Sequence, residues 1–210
     1  RTGQPCFDCQ GKVKRIKIGG RGTFYCPNVR VKFMVLKRLS LQNFRSYQKK
    51  NFQFFSGTTL VVGPNTSGKT NLLEAIHLIS TGKSFRAGLE REMISYGQEV
   101  TWVEGQAKIQ EGEEKLTIVL TTGQVGGERA SKKKYLVNGV AKRRMDFVGL
   151  LCSVLFRPED LQIIINSPAK RRDYLDEVLE QTDWDYRRAN LSYQKGLRQR
   201  NKLLEQIREE

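Results

Sequence analysis

The sequence predicts an α/β fold organised around a phosphate-binding loop, and three observations predict it. Residues 63–70 read GPNTSGKT, the apolar run TTLVV leads into them, and apolar residues at helical spacing follow them. The pattern GxxxxGK[ST] needs glycines so that backbone N–H groups can wrap phosphate oxygens. It needs the following helix because a helix N-terminus carries positive potential. Gly63, Gly68, Lys69 and Thr70 fill the fixed positions. In this reading Lys69 reaches the β- and γ-phosphates of a nucleotide and the Thr70 hydroxyl is a ligand of Mg2+. Pro64, Asn65, Thr66 and Ser67 form the span of the loop, and Asn71 closes the nucleotide-binding stretch.

The remaining elements follow in order along the chain. Leu39 and Leu41 alternate with polar residues and Phe52 and Phe54 repeat the alternation, so two outer strands are expected ahead of a core strand at TTLVV. From Thr70, the residues Leu72, Leu73, Ile76 and Ile79 fall at helical spacing until Gly82 stops the pattern. Strand patterns over 102–109 and 116–120 come next, and YLVNGV supplies Asn138 and Gly139 as a tight hairpin turn. These predict a β-rich lobe. Beyond Pro158, Ser167 can cap a helix that has Pro168 at its first position, with Tyr174, Leu175, Val178 and Leu179 as its apolar stripe. After a short break over 182–185, a second helix, charged on most faces, runs through Leu191, Leu197, Leu203, Leu204 and Ile207 without a stop signal. It reads as a helical arm cut off within the element.

Composition narrows the partners. The 37 basic against 22 acidic residues leave a formal charge of +15, a field that concentrates polyanions such as nucleic acid. The most apolar stretch, 150–156, is far shorter than the roughly 20 residues needed to cross a bilayer, and the polar N-terminus is no export signal. No membrane partner and a cytoplasmic location are expected. Three of the four cysteines fall within the first 26 residues, and the fourth, Cys152 in GLLCSVLF, reads as a buried inert thiol. Nucleotide hydrolysis also needs an acidic residue at the end of a second apolar strand, and no such run is found. Glu159 and Asp160 in FRPEDL follow Pro158 instead. Turnover by this chain alone is therefore not expected. The absence of an NKxD guanine motif weighs against a P-loop GTPase.

The segments VLKRLSLQNFRSY, GPNTSGKTNLLEAIHLISTGKSFR, VLFRPEDLQIIINSPAKRRDYLDEVL and YQKGLRQRNKLL together resemble the RecF family of bacterial DNA replication and repair proteins. The resemblance spans residues 34–210. It implies an ATPase head of the ABC and SMC type whose lobe occupies 34–166 and whose truncated helical arm occupies 167–210. It also implies ATP and Mg2+ as cofactors, single- and double-stranded DNA as partners, recombination mediator proteins of the same pathway, and an ATP-dependent homodimer. By position, Asn65 stands at the loop tip and Asn71 at the helix start, and Arg45 and Arg86 are candidates for nucleotide or DNA phosphate contact. The family's signature segment and Walker B acids are absent from these residues.

Residues 1–30, RTGQPCFDCQGKVKRIKIGGRGTFYCPNVR, resemble the C-terminal zinc finger of formamidopyrimidine-DNA glycosylases, a β-hairpin finger that holds DNA. Cys6 and Cys9 make one CxxC knuckle and Cys26 begins the second, a spacing that suits tetrahedral Zn2+. Val29 stands where the fourth ligand belongs. The resemblance makes Arg21, in GGRGT, the position that touches DNA phosphate. Base excision is not expected, because the glycosylases' catalytic N-terminal residues lie outside the chain. A junction at 31–33 is expected between this incomplete finger and the ATPase lobe, as a gene fusion or a frame error before Met34. The alternative function is that of a DNA-binding zinc-finger fragment.

Overall fold

The structure, a computed structural model, describes residues 2–5, 10–18, 21–25, 34–109, 112–161 and 168–209. The chain divides into two compact units, Arg1–Phe33 and Met34–Glu210.

In the first unit, β1 (Lys14–Ile18) and β2 (Arg21–Tyr25) form an antiparallel hairpin. Upstream, Pro5 pairs with Lys12, and the backbone N–H of Val13 donates to the carbonyl of Gln4 at 3.0 Å. The proposed zinc ligands Cys6, Cys9 and Cys26, with Val29, lie outside the described residues. Arg21 opens β2 opposite Ile18, and its side chain also lies outside them.

The second unit is built on one antiparallel sheet. Its strands are β3 (Val35–Phe44), β4 (Tyr47–Gln53), β5 (Val100–Ile109), β6 (Gly112–Thr121), β9 (Lys133–Val137) and β10 (Val140–Lys142), in the order β10-β9-β6-β5-β3-β4. A short ladder of β7 (Gln124–Val125) and β8 (Glu128–Arg129) stands apart from it. The period-2 alternation turns Leu39, Leu41, Val103, Ala107, Leu116, Ile118 and Leu120 to one face, where all are buried. Helix α1 (Lys69–Thr81) closes that face with Leu72, Ala75, Leu78 and Ile79. Each leucine, isoleucine or valine among them, fully removed from water, stabilises the fold by about 1.5–3 kcal/mol. Helix and sheet meet closely at Gly105, where an added Cβ would stand 3.1 Å from Leu36 Cδ1 and 3.4 Å from Ile79 Cγ2. Gly82 ends α1 in the left-handed conformation, as its position after the helical pattern predicts. Asn138 and Gly139 both have positive φ, 51° and 82°, and join β9 to β10.

After α2 (Arg144–Phe147) the chain reaches α3 (Pro168–Thr182) and α4 (Trp184–Glu209). Polar groups tie these helices to the lobe. Buried Glu180 accepts hydrogen bonds from Arg144 Nη2 at 2.7 Å, Asn190 Nδ2 at 2.9 Å and Lys83 Nζ at 3.3 Å. Buried Arg187 donates to the carbonyls of Met145 at 2.6 Å and Gln181 at 3.3 Å, and to that of Glu180.

Several expectations are corrected. Residues 58–62 form no strand, and Leu60 and Val62 are 83% and 80% exposed. Among the described residues no strand lies alongside to complete a ladder, so the apolar run has nothing to pack on. Strand β3 is interior rather than outer, flanked by β4 and β5. Leu73 points outward because the buried stripe of α1 runs through Leu72, Ala75 and Leu78. Cys152 is exposed, not buried; its thiol faces the carbonyls of Gln181 at 3.6 Å and Gly149 at 3.8 Å. Tyr174, Leu175, Val178 and Leu179 are exposed, since α3 is held through Glu180 and not through that stripe. The expected cap Ser167 lies outside the described residues. Among those described, no helix is long and apolar enough to cross a membrane.

Candidate nucleotide site

The loop 63–68 delivers its backbone to the start of α1. Gly68 is the N-cap residue with φ 97°, a conformation open to glycine and strained for any other residue. The amide of Leu72 donates to the Gly68 carbonyl at 3.0 Å, which begins the helix. No side chain caps this end, and the first turn holds no acid. Its N–H groups are therefore available to an anion. Beneath the loop, the Tyr47 hydroxyl donates to the Gly68 carbonyl at 3.1 Å, and a Cβ on Gly68 would lie 2.7 Å from that oxygen. Tyr47 thus sets the height of the loop. Lys69 Nζ donates to the carbonyls of Gly63 and Pro64 at 2.7 Å each, bending the loop around its ammonium group.

A cavity of about 200 Å³ opens at this point, lined by Asn65, Thr66, Gly68, Lys69, Thr70, Asn71 and Arg86. Amides, an ammonium, a guanidinium and the Thr70 hydroxyl share it, a donor set that fits a polyphosphate and one oxygen ligand for Mg2+. Pro64 and Ser67 shape the turn, with the Ser67 amide donating to the Pro64 carbonyl at 3.3 Å. Asn71 bridges outward: its Nδ2 donates to Ser46 Oγ at 2.8 Å and its Oδ1 accepts from Arg86 Nη2.

Behind the cavity sits Glu74, wholly buried on α1. Arg45 binds both its oxygens, at 2.6 and 2.9 Å, Arg86 Nε binds one at 3.0 Å, and the Ser84 hydroxyl donates to the other at 2.5 Å. Burial alone would raise this carboxyl's pKa. The hydrogen bonds from Arg45 and Ser84 and the charges of Arg45 and Arg86 outweigh it and hold the group below its ordinary value. Two arginines around one carboxylate leave a net positive charge, and Arg86 carries it to the loop cavity. Arg45 lines instead a neighbouring cleft of about 900 Å³ that shares Asn71 and Arg86 with the first.

The structure places Asn65, Thr66, Gly68, Lys69, Thr70 and Asn71 around one cavity with Arg86, and sequence reasoning did not single out Glu74 or Tyr47. A signal for the first exists: Glu74, His77 and Thr81, at i, i+3 and i+7, form a polar stripe, and all three are buried. His77 lines a separate cavity of about 240 Å³ with Phe85, Arg157, Asp160 and Glu177. Its Nδ1 has no hydrogen-bond partner among the described residues. Burial, reinforced by the charge of Arg157, lowers its pKa to about 4. Asp160 pairs with Arg157 at 2.7 Å rather than facing the loop. Among the described residues no group of three or more His, Cys, Asp or Glu is placed to hold a metal ion.

Residues 35–185 match the model of the RecF/RecN/SMC N terminal domain. The DNA replication and repair protein RecF of Caldanaerobacter subterraneus subsp. tengcongensis is 36% identical over 178 residues, covering 84% of this chain and 47% of that protein. RecF of Halalkalibacterium halodurans is 36% identical over 175 residues, covering 83% and 45%. A solved structure of the recombination mediator protein RecF with ATP, from the RecFOR pathway, superposes with a TM-score of 0.74 at 34% identity, covering 87% of this chain and 48% of that one. An SMC ATPase structure superposes at 0.54 and 23% identity over 68% of this chain and 98% of that one, a likeness of fold alone. The chain spans about half the length of the curated relatives it matches.

Proposed function

The chain belongs to the RecF/RecN/SMC N-terminal domain family, and from that premise we propose that it binds ATP with Mg2+ at the GPNTSGKT loop and binds DNA. Its fold is that of the family's P-loop ATPase head, an antiparallel sheet with helices. One observation carries the nucleotide assignment: the uncapped start of α1, Lys69 and Arg86 converge on a single cavity of phosphate-binding character. Lys69 would exchange the carbonyls of Gly63 and Pro64 for β- and γ-phosphate oxygens. The amides of residues 65–71 would hold the β-phosphate, Thr70 would offer its hydroxyl to Mg2+, and Asn71 would keep Arg86 aimed at the same anion. Bound Mg2+ supplies charge neutralisation of the phosphates.

The remainder of the proposal rests on likeness to RecF. It comprises work at single- and double-stranded DNA in replication and recombinational repair, gap recognition and recombinase loading with mediator proteins, an ATP-dependent homodimer, and a cytoplasmic location. ATP binding by the unsubstituted chain and by Lys69→Ala, measured alongside turnover, tests the core of it. Binding should be lost in the variant and turnover should be negligible in both. Robust turnover would reveal an acidic catalytic residue in the chain and overturn the second expectation. DNA affinity should fall steeply with salt, since each neutralised phosphate releases counterions.

A second reading concerns the first unit. The hairpin of β1 and β2 and the pairing of Pro5 with Lys12 favour a finger-like module resembling that of the formamidopyrimidine-DNA glycosylases, with Cys6, Cys9 and Cys26 toward Zn2+ and Arg21 toward DNA. Zinc stoichiometry near one per chain supports it, and a value near zero removes it.

A further inference from the structure

The outer face of the six-stranded sheet, opposite α1, carries one row that combines an aromatic ring with positive charge. Residues directly opposite one another in an antiparallel ladder share a face. Lys49 of β4 pairs with Gln42 of β3, Gln42 with Trp102 of β5, Trp102 with Val119 of β6, and Val119 with Lys134 of β9. Five strands therefore place Trp102 midway between two lysines, each two strand spacings, or about 10 Å, from it.

Trp102 is 44% exposed, while Thr101 and Val103 on either side of it in β5 are fully buried against the core. Lys49 and Lys134 are exposed, and among the described residues neither joins a salt bridge. The acids of this face are already opposed by bases: Glu104 lies 2.8 Å from Lys115, and Glu113 stands opposite Lys108. Exposed Arg38, two positions from Ser40 along β3, adds a further cation. A protein partner would call for a broader apolar patch. Val119 is buried and Leu136 half-buried, and the nearest neighbours along β3 and β4 are Ser40, Gln42 and Asn51. The face offers a flat ring set among polar groups, with cations on both sides.

We propose that this face binds single-stranded nucleic acid, one base stacking on the Trp102 indole while flanking phosphates meet Lys49 and Lys134. Every base has a π-face, so such stacking is tolerant of sequence, and the lysines supply charge along the backbone. A duplex keeps its bases within its own stack and presents no free face to the ring. The inference deepens the DNA-binding part of the function proposed above and rests on it for the class of polymer; it does not use the nucleotide loop.

The chain has two tryptophans, so Trp184→Phe leaves Trp102 as its sole indole. Titration of that full-length variant with an oligothymidylate should quench its fluorescence, and a duplex of equal length should quench it little. In the otherwise unsubstituted chain, Trp102→Ala should weaken oligothymidylate binding about tenfold. The exposed pair Lys49→Glu and Lys134→Glu should weaken it at least as much, with the unfolding midpoint nearly unchanged. If the unsubstituted chain binds the oligonucleotide and these variants bind it equally well, the platform is overturned and DNA binding belongs to another surface. If the unsubstituted chain binds no DNA at all, the platform falls together with the proposed function. A shift of Trp102→Ala from dimer to monomer with unaltered DNA affinity would make this face a contact between copies and overturn the proposal.

Discussion

Arg45 grips Glu74 as a fork, Nη2 to Oε1 at 2.6 Å and Nε to Oε2 at 2.9 Å, across 29 residues of sequence and with the carboxylate out of contact with water. Removing one partner from such a pair leaves a buried charge uncompensated. Glu74→Ala should therefore destabilise the chain by about 3–5 kcal/mol, read from urea denaturation. Acid should act on the same group. Its folded pKa lies below the ordinary value near 4.5, so the unfolded chain takes up this proton first as pH falls. The contribution of Glu74 is whole above about pH 4.5 and disappears as pH drops through the lower folded value. A denaturation midpoint that Glu74→Ala leaves unmoved at pH 7 would show that the cluster does not hold the fold.

The loop and Tyr47 make a second test at Gly68. Gly68→Ala imposes a positive φ on a residue with a Cβ and drives that Cβ to 2.7 Å from the Tyr47 oxygen. Tyr47→Phe removes the oxygen and the hydrogen bond to the Gly68 carbonyl while leaving the backbone alone. The single Tyr47→Phe change should cost about 1 kcal/mol of stability and weaken ATP binding modestly. Gly68→Ala should abolish ATP binding, and adding Tyr47→Phe should not restore it, since the backbone strain and the contact with the ring carbon Cζ at 2.9 Å both remain. Full rescue by the double variant would place the whole effect in the contact with the Tyr47 oxygen.

What the sequence reveals here is local, and what it hides is not. The start of α1 at Lys69, its stop at Gly82 and the Asn138-Gly139 turn each follow from residues adjacent in the chain. Tyr47 beneath Gly68 is separated from it by 21 residues, and no spacing rule connects them. Glu74 could have been noticed as a charge on a helix otherwise read as apolar, but its two arginines come from different segments and only the fold unites them. The run TTLVV misled for a related reason. A buried strand and an exposed extended segment share one composition, and neighbouring strands decide between them.

His77 should give stability a second pH dependence in a different window. Burial and the charge of Arg157 lower its folded pKa from the ordinary value of 6.5 to about 4. As pH falls below about 6.5 the unfolded chain binds a proton that the folded chain refuses, so stability declines until pH reaches about 4 and then levels. The full decline should be about 3 kcal/mol, since each tenfold in proton affinity is worth about 1.4 kcal/mol. His77→Phe should flatten the urea midpoint between pH 6.5 and 5, where Glu177, 3.8 Å from the ring and raised by burial, acts in the opposite sense. An unchanged slope in that variant would assign the titration elsewhere, because this histidine is the only one in the chain.

The exposed run before the loop supports a final contrast. Leu41 and Leu60 are the same residue type, one with 1% of its surface accessible and the other with 83%. Truncating a buried leucine forfeits its transfer energy and leaves a cavity, so Leu41→Ala should cost about 2–5 kcal/mol. Leu60→Ala removes the same atoms from water rather than from a core, and its effect should stay within about 0.5 kcal/mol. Urea midpoints of the two variants, compared at one pH and with one slope, decide the matter. A cost at Leu60 approaching that at Leu41 would mean that residues 58–62 pack as a core strand.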